Sequence, residues 1–401
     1  MKTKKKDIKT KTIEDKAENK TFFTKRNVII LIVTALVAIG LTALTFLVIF
    51  NPEIWGTFFI NIGEGLKVNF GAMWLTFLII FAIINIFYNM LPFWLRLNSL
   101  GIKINFGQWI SFALSISFLK AITPANFIYD PYTVFWLKTQ GVSTSRATSM
   151  MFSNAFLWQS AVLLIHIPSF ALILTRANLL ISQSALGVFW LVLMCIGIII
   201  DIIGVLVMAL LCFSKKAHYV MSSVFNWFKK KLHMKYHTKA EIEEKYKTKA
   251  TLKREVIEYY KDWSTTLINI FILVAYELIV YFTLSASLAL INANSLFTFD
   301  VVYVFHSANM ACNANRINIF PAQGAGLEAA LLLMLKSLGG IKGGSTLEDQ
   351  EKFIQQGIVL WRAFFTYIPA ILGLCGFTGL TIYQVRSFKN KRGSFIENKY
   401  E

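Results

Sequence analysis

The sequence has few of the residues with which proteins build catalytic and metal sites. Only 15% of its 401 residues are charged, and it has five histidines and four cysteines. The cysteines lie in apolar surroundings without CxxC spacing, and no histidines stand at metal-ligand intervals. We therefore expect neither a disulfide framework nor a metal site, and the sequence predicts no cofactor.

Polar stretches long enough to form a soluble domain are also missing. The two longest, residues 1–26 and 215–262, are too short to enclose a hydrophobic core. The sequence contains no nucleotide-binding loop and no nucleophile elbow. We therefore expect that the protein is not an enzyme and that it works within a membrane.

Long apolar runs are abundant instead, since 56% of the residues are hydrophobic. A run of about 20 such residues crosses the hydrocarbon core of a bilayer. The runs predict an all-α polytopic membrane protein with about six full spans. The predicted spans are Val28 to Phe50, Phe70 to Leu95, Ala147 to Thr175, Leu186 to Phe213, Trp263 to Ile291 and Phe353 to Val385.

The positive charge is concentrated outside these spans. Residues 1–26 hold ten basic and four acidic side chains, residues 215–262 thirteen and six, and residues 386–401 five and two. These segments carry sixteen units of the net charge of +18, which is typical of cytoplasmic flanks. We expect a multi-pass protein of the cell membrane with both termini in the cytoplasm. Anionic lipid headgroups are the expected partners of the basic segments, and no module typical of nucleic-acid binding is present.

The chain then divides into five segments, in which each membrane half contains a hairpin. These are a basic cytoplasmic tail (1–27), a first membrane half (28–213), a basic cytoplasmic loop (214–262), a second membrane half (263–386) and a basic cytoplasmic tail (387–401).

The hairpin of the first half follows from the charges that flank it. Arg96 and the region around Lys138 must both lie inside, because an even number of crossings separates the latter from the cytoplasmic loop. Residues 106–137 therefore enter and leave on the cytoplasmic side, with the tip between Pro124 and Pro131.

The second half carries an inverted counterpart. The last span ends at the basic residues of 386–392 and must therefore run inward, which places the loop of residues 339–352 outside. Residues 301–338 therefore leave and return on the outer side, with their tip at Pro321. Two interrupted segments in matching positions of two halves indicate a transport site near the membrane midplane. In the alternative, Pro321 and the glycines after it only join two helices in an extramembrane loop, with Glu328 exposed.

The tip of the second hairpin has the chemistry of an anion site. A half-helix that begins near Gly324 and Gly326 presents free backbone N–H groups, which favour phosphate or carboxylate. Gln323 adds a neutral donor. Arg316 either binds a phosphate or extends to the outer interface.

Charges inside the membrane need partners, because each costs about 2.5 to 3.5 kcal/mol at the centre of a span. Glu328 lies about one turn into the second half-helix and Arg362 lies in the last span, so we expect them to pair. The pair belongs either to a substrate site or to a purely structural clamp between helices. Lys120 and Asp130 flank the first tip, Asn126 lies within it, and all three are candidate substrate-binding residues.

Four further ionisable residues lie in the apolar segments. We expect His166 and His306 to be hydrogen-bonded packing residues, with a proton relay as the alternative. Asp201 and Glu277 also need partners, but the sequence does not identify them.

Several of these residues lie in motifs that resemble those of a known family. Pro321 to Ala330 reads PAQGAGLEAA, which resembles the Pro-Gly-Gly-x-Gly-x-x-Glu-Ala motif of the lysylphosphatidylglycerol synthase transmembrane (flippase-like) family. Leu360 to Gly373, LWRAFFTYIPAILG, is similar to its last-span pattern. Thr123-Pro124, Asp130-Pro131-Tyr132 and Lys138-x-x-Gly141 match its first hairpin in outline, although the family has a Gly-rich turn, a glutamate and an arginine there. The resemblance covers most of residues 28 to 386.

The resemblance implies a lipid translocase that moves an aminoacylated or other polar-headed phospholipid between leaflets. Family members that also make the lipid carry a C-terminal soluble domain that uses aminoacyl-tRNA, and only a short tail follows Val385, so synthesis is not expected of this chain. Three alternatives stay open: a carrier for a small polar or anionic solute, an accessory subunit of a membrane lipid-synthesis complex, and a membrane enzyme. The sequence also leaves open whether copies of the chain form a homo-oligomer.

The first hairpin can be tested by labelling. Single cysteines placed next to Arg96 and next to Lys138, in a chain without its native cysteines, should both react with an impermeant maleimide from the cytoplasmic side only. Reaction from opposite sides of the membrane would show that residues 106–137 cross it.

Overall fold

The structure is a computed structural model that describes residues 29, 32–40, 43, 53–68, 70–122, 129–183, 185–231, 238, 253–254, 256–292, 295–315, 324–338 and 341–379. Within these residues the regular structure is helical apart from two strands of two residues each. The predicted all-α class is therefore confirmed.

The helices and strands are numbered in chain order. They are α1 Ile54–Lys67, α2 Gly71–Phe87, α3 Leu91–Ser99, α4 Phe106–Ile122, α5 Tyr129–Thr139, α6 Thr144–Leu174, α7 Ala177–Gln183, α8 Ala185–Phe213, α9 Lys215–Lys231, α10 Trp263–Ile291, β1 Phe297–Thr298, α11 Val301–Ala314, α12 Gly324–Leu338, β2 Lys342–Gly343 and α13 Leu347–Arg362. A π-helical turn, Ala363–Tyr367, continues α13 toward Gly379. Residues 32–40 are also helical, and the remainder of the predicted span Val28 to Phe50 lies largely outside the described residues.

Four helices in the described part of the chain are long and apolar enough to cross a membrane. They are α6, α8, α10 and the extended α13, with 26 to 33 residues each, and the bent pair α1–α2 adds a fifth span if it is counted as one. Their outer faces expose large apolar side chains such as Leu164, Leu206 and Phe271. Acyl chains can cover such faces, whereas water cannot do so favourably. The protein is therefore a polytopic membrane protein.

Polar contacts group the connecting segments at two ends of the molecule. At one end, Arg96 lies 3.5 Å from the Asp262 carboxylate and donates to the backbone carbonyl of Glu258 at 3.3 Å. At the other end, Glu53 lies 2.6 Å from Lys352, and β1 pairs with β2. The helix α10 separates the two ends, because Asp262 caps its start and β1 follows it. The charges of the loops predict the same grouping. Which of the two ends faces the cytoplasm stays a prediction.

The helices α11 and α12 leave and return at the same end. The strand before α11 and the strand after α12 pair in antiparallel fashion, with Phe297 opposite Gly343 and Thr298 opposite Lys342. The two helices have 14 and 15 residues, so each is only about 21 to 23 Å long at 1.5 Å per residue. Neither is long enough to cross a hydrocarbon core of about 30 Å.

The helices α4 and α5 form the other hairpin. The ring of Trp109 lies 5.1 Å from that of Trp136, and Phe112 stacks on Trp136 at 3.9 Å. Residues near the start of α4 therefore meet residues near the end of α5, which makes the helices antiparallel. With 17 and 11 residues, both are shorter than a full span.

The prolines of this hairpin do not both lie at its tip. Pro131 is the third residue of α5, a position where the N–H it lacks has no partner within the helix. Pro124 lies outside the described residues, as does Pro321 of the second hairpin.

The predicted span Phe70 to Leu95 is not one helix. The helix α2 ends at Phe87, a turn covers residues 88–90, and α3 begins at Leu91. Pro92 is the physical reason. It cannot donate the N–H that a continuous helix needs at the carbonyl of Tyr88, and its ring would clash there.

The grouping of the two ends can be tested by crosslinking. Glu53→Cys combined with Lys352→Cys should be joined by a short bifunctional maleimide, because these side chains meet in the structure. The matched pair Glu53→Cys with Asp262→Cys should not be joined, because α10 separates its members. Crosslinking of the second pair, or failure of the first when both cysteines react singly, would contradict the arrangement.

Candidate functional site

A cavity of about 510 Å³ lies between the two hairpins and the long helices. The first hairpin contributes Lys120 and Asp130 to its wall, and the second contributes Cys312 and Asn315. The last span contributes Arg362. The structure therefore brings three of the predicted site residues, Lys120, Asp130 and Arg362, to one cavity.

Lys120 is held by neutral oxygens and aromatic rings. Its Nζ donates to Asn89 Oδ1 at 2.5 Å and to the hydroxyl of Tyr88 at 3.3 Å. It also lies over the rings of Tyr88 and Tyr129, at 5.3 and 4.8 Å from their centroids. Ring faces attract a cation but do not neutralise it. The described groups in direct contact with Lys120 are therefore uncharged, and the carboxylates nearest to it are those of the cavity wall.

The carboxylates of the cavity wall are Asp130 and Glu277. Both act electrostatically on Lys120. Asp130 is exposed to the open space, whereas Glu277 is buried and accepts a hydrogen bond from Trp158 Nε1 at 3.0 Å. The cavity thus presents charges of both signs.

A break in the last span shapes the wall next to Arg362. Pro369 has no N–H to donate to the carbonyl of Phe365 four residues earlier. Asn85 Nδ2 donates to this carbonyl instead, at 2.6 Å, and Asn85 Oδ1 accepts from the hydroxyl of Tyr276 at 2.6 Å. The residues just before the proline form the π-helical turn, a feature frequently found at functional sites.

The predicted ion pair between Glu328 and Arg362 is present. Arg362 Nε lies 2.7 Å from Glu328 Oε1, and the two side chains are only 3% and 2% exposed. Arg362 also donates to Thr366 Oγ1 at 2.8 Å. The alternative in which Glu328 is exposed in a loop is therefore wrong. The role of the Glu328–Arg362 pair, in substrate binding or as a structural clamp between helices, stays a prediction.

Glu328 itself stands behind Arg362. Arg362 contributes to the cavity wall, whereas Glu328 is buried, and its Oε2 has no hydrogen-bond partner among the described residues. Glu328 can therefore orient Arg362, while Asp130 and Glu277 are the carboxylates that meet the cavity.

The remaining predicted site residues belong to the second tip and the first tip. Gly324 and Gly326 are the first and third residues of α12, so the half-helix starts where the sequence predicts. Arg316, Gln323 and Asn126 lie outside the described residues.

Sequence reasoning did not assign the polar residues of α2 and α10 to the site. Asn85 and Asn89 lie four residues apart, and both sit at the cavity, as do Tyr88 and Tyr276, whose rings stack at 3.4 Å. The spacing of the two asparagines within an apolar run was a usable signal, because residues four apart share one face of a helix. Glu277 had no such signal, because its partner Trp158 is distant in sequence.

The partners of Asp201 are also resolved by the structure. Asp201 lies against His166, with their Oδ2 and Nδ1 atoms 2.6 Å apart. His306 Nδ1 lies 2.8 Å from Ser169 Oγ. Both histidines are therefore hydrogen-bonded, as expected.

Two curated proteins of Mycoplasma are similar to this chain. The uncharacterized protein MG306 homolog of Mycoplasma pneumoniae is 25% identical over 324 residues, which cover 80% of this chain and 80% of that protein. The uncharacterized protein MG306 of Mycoplasma genitalium is 24% identical over 311 residues, which cover 75% and 77%. No family model and no solved structure matches the chain. These relatives share most of the chain's length, and their names assign no activity.

Coupling between Glu328 and Arg362 can be measured by a double-mutant cycle. Glu328→Gln and Arg362→Gln should each lower the free energy of unfolding by about 3 to 5 kcal/mol, because each leaves one buried charge without its partner. The double variant should cost less than the sum of the two single changes. Unfolding of the purified protein in detergent provides the measurement.

The exposed pair Glu53–Lys352 is the matched control, for which we expect less than about 1 kcal/mol of coupling. Strict additivity of the Glu328 and Arg362 effects would contradict the ion pair.

Proposed function

We propose that the protein is a flippase-like lipid translocase of the cell membrane, which moves a polar-headed, including an aminoacylated, phospholipid between leaflets. The observation that carries this proposal is the cavity of about 510 Å³ in which Lys120 and Arg362 face Asp130 and Glu277. A cavity of this volume suits a small molecule or a lipid headgroup, and its charges suit a group that carries both signs.

The charges of the cavity indicate which side chains bind the phosphate of a headgroup and which bind its amine. The phosphate binds Lys120 and Arg362, because a guanidinium and an ammonium are the side chains that recognise phosphate oxygens. A headgroup amine binds Asp130 and Glu277. Arg362 is held in place for this task by Glu328, whose carboxylate accepts from its Nε.

The hairpins explain how such a headgroup could pass between the leaflets. The wall of the cavity combines residues of two hairpins that return to opposite ends of the molecule, so either hairpin can open the cavity toward its own end. The acyl chains stay in the bilayer while the headgroup occupies the polar space. This is alternating access around a site near the midplane.

The helix α9, which lies in a basic segment, has the features of a helix that binds a membrane surface. In α9, Val220, Val224 and Trp227 are exposed and share one face, and three lysines end the helix. A basic helix with an apolar face suits the surface of an anionic membrane. This supports the expectation that the basic segments meet anionic lipid at the cytoplasmic surface. The motif resemblance around Glu328 and Arg362 supports the same function.

A carrier for a small zwitterionic or anionic solute is the alternative, because the volume of the cavity suits such a solute equally well. A carrier and a translocase differ in whether the substrate keeps its acyl chains in the membrane.

The test uses the full chain in vesicles of phosphatidylethanolamine and phosphatidylglycerol. Wild-type protein should accelerate leaflet exchange of fluorescent phosphatidylglycerol and lysyl-phosphatidylglycerol, measured by dithionite quenching. Lys120→Gln and Glu277→Gln should each reduce exchange of the lysyl lipid at least about tenfold, which corresponds to one charge contact of about 1.4 kcal/mol. Lys67→Gln is the matched control, because Lys67 is exposed and far from the cavity lining.

A wild-type protein that exchanges no lipid but takes up radiolabelled amino acids or phosphate would establish the carrier. Equal exchange rates in the control and both site variants would show that the cavity does not take part in lipid exchange.

A further inference from the structure

A second buried polar cluster joins α6, α8 and α11. The carboxylate of Asp201 on α8 lies 2.6 Å from His166 Nδ1 and accepts from Gln159 Nε2 at 2.6 Å, both on α6. Asn313 Nδ2, on the second hairpin, lies 3.0 Å from the same Asp201 oxygen as the histidine. His166, Asp201 and Asn313 are at most 1% exposed.

Packing of the three helices against one another does not require this cluster of buried polar side chains. An aspartate in an apolar span is costly, and replacing a buried ionic pair by apolar residues is often neutral or stabilising. An imidazole beside a carboxylate, by contrast, forms a unit that can bind or release a proton near neutral pH. The headgroup site described above uses none of these side chains.

One side chain separates the cluster from the cavity. Gln159 lines the cavity and donates to Asp201, so the side chain of a single residue lies between the cavity and the carboxylate. Cys312 and Asn315, on either side of Asn313, also line the cavity. The cluster therefore contacts both the cavity wall and the hairpin that forms part of it.

The contact with the hairpin is unusually close. A Cβ on Gly197 of α8 would lie 2.4 Å from Asn313 Oδ1 and 2.5 Å from its backbone oxygen, so only glycine allows α11 to approach here. Asn313 Oδ1 is buried and has no hydrogen-bond partner among the described residues. Asn313 Nδ2 lies 3.0 Å from Asp201 Oδ2 and 3.1 Å from His166 Nδ1, so its N–H group competes for the same two atoms as a proton shared by the pair. A proton held between these atoms therefore weakens the bond that ties Asn313, and with it α11, to the cluster.

We propose that Asp201 and His166 form a proton-binding site, and that proton uptake there moves the second hairpin, α11–α12. The proton comes from the solvent in the cavity and reaches Asp201 when the Gln159 side chain, which does not itself carry a proton, moves aside; it is held between the carboxylate and the imidazole, and leaves by the same route when the hairpin returns. The inference deepens the proposed translocation by naming its driving ion, and for that role it rests on the proposed function.

Other titratable or charged groups lie on the helices packed around the pair, and the test must separate them from it. They are His306 and Cys312 on α11, Glu328 and Lys336 on α12, Glu277 on α10, Cys195 on α8, Arg146 on α6, Lys138 and Asp130 on α5, Arg176 against Tyr303 after α6, and the lysines that end α9.

The first experiment detects the proton directly. Infrared difference spectra of the protein in lipid nanodiscs, titrated between about pH 5 and pH 9, should show the carbonyl stretch of a protonated carboxylic acid that disappears as pH rises. The spectra are taken in an Asp130→Asn background, because a protonated Asp130 would give a band of the same kind. In this background Asp201→Asn should abolish the band, His166→Gln should shift its midpoint, and Glu277→Gln should leave it in place. A band that persists in Asp201→Asn would overturn the proposal.

The second experiment detects movement of the hairpin without any transport. Cys312 is kept as the single cysteine, and its alkylation rate is compared at each pH with the rate in Asp201→Asn, which mimics the protonated state. We expect the two rates to differ at least about threefold at pH 8 and to converge at pH 5. Equal rates throughout would overturn the coupling, and His166→Gln provides a second variant if Asp201→Asn folds poorly.

The third experiment separates the two proposals. In vesicles that exchange fluorescent phosphatidylglycerol, a pH gradient should change the exchange rate in wild type and in the control Lys67→Gln, and should have no effect on the rate in Asp201→Asn. A gradient without effect in wild type would overturn proton coupling. Absence of all exchange would speak against lipid translocation, and the infrared and alkylation results would then decide the proton site alone.

Discussion

A charge or a freed backbone group inside a membrane must be satisfied by the protein itself, and this constraint organises the whole molecule. Glu328 and Arg362 satisfy each other and thereby fasten the second hairpin to the last span. Asp201 joins α8 to α6 through His166, and to the same hairpin through Asn313. The hairpin α11–α12 is thus held by these buried polar contacts, and by that of His306 with Ser169, in addition to apolar packing. Polar contacts of this kind can change with protonation or substrate, which apolar packing cannot do.

The breaks in the helices obey the same constraint. Pro92 ends the helical run of α2, and Pro369 frees the carbonyl of Phe365 within the last span. Both prolines line the cavity, where Asn85 binds the freed carbonyl and Asn89 binds Lys120. Broken backbone at membrane depth is tolerated only beside such polar groups. The cavity and the two proline sites therefore lie together, and Asn85 and Asn89 lie with them in the cavity wall.

The two polar clusters have different character. The cavity wall carries charged side chains of both signs, among which Lys120 is held by neutral groups and Arg362 by Glu328, and these are the charges that we assign to substrate binding. In the deeper cluster, Asp201 is enclosed by three donors or potential donors and is 1% exposed, which leaves room for a proton and for nothing larger. Gln159 connects them. This division is the physical basis for assigning a headgroup to one cluster and a proton to the other.

The sequence by itself determined the membrane class, the interrupted stretches and the pairing of Glu328 with Arg362. Long apolar runs, prolines and lone charges are local signals, and two lone charges of opposite sign leave few choices of partner. Only the tertiary structure placed Glu277 in the cavity wall, Glu328 behind Arg362, and Asp201 against His166. Those positions depend on how each helix is rotated about its axis. In a membrane both the lipid-facing and the buried sides of a helix are apolar, so the pattern of residues does not encode that rotation.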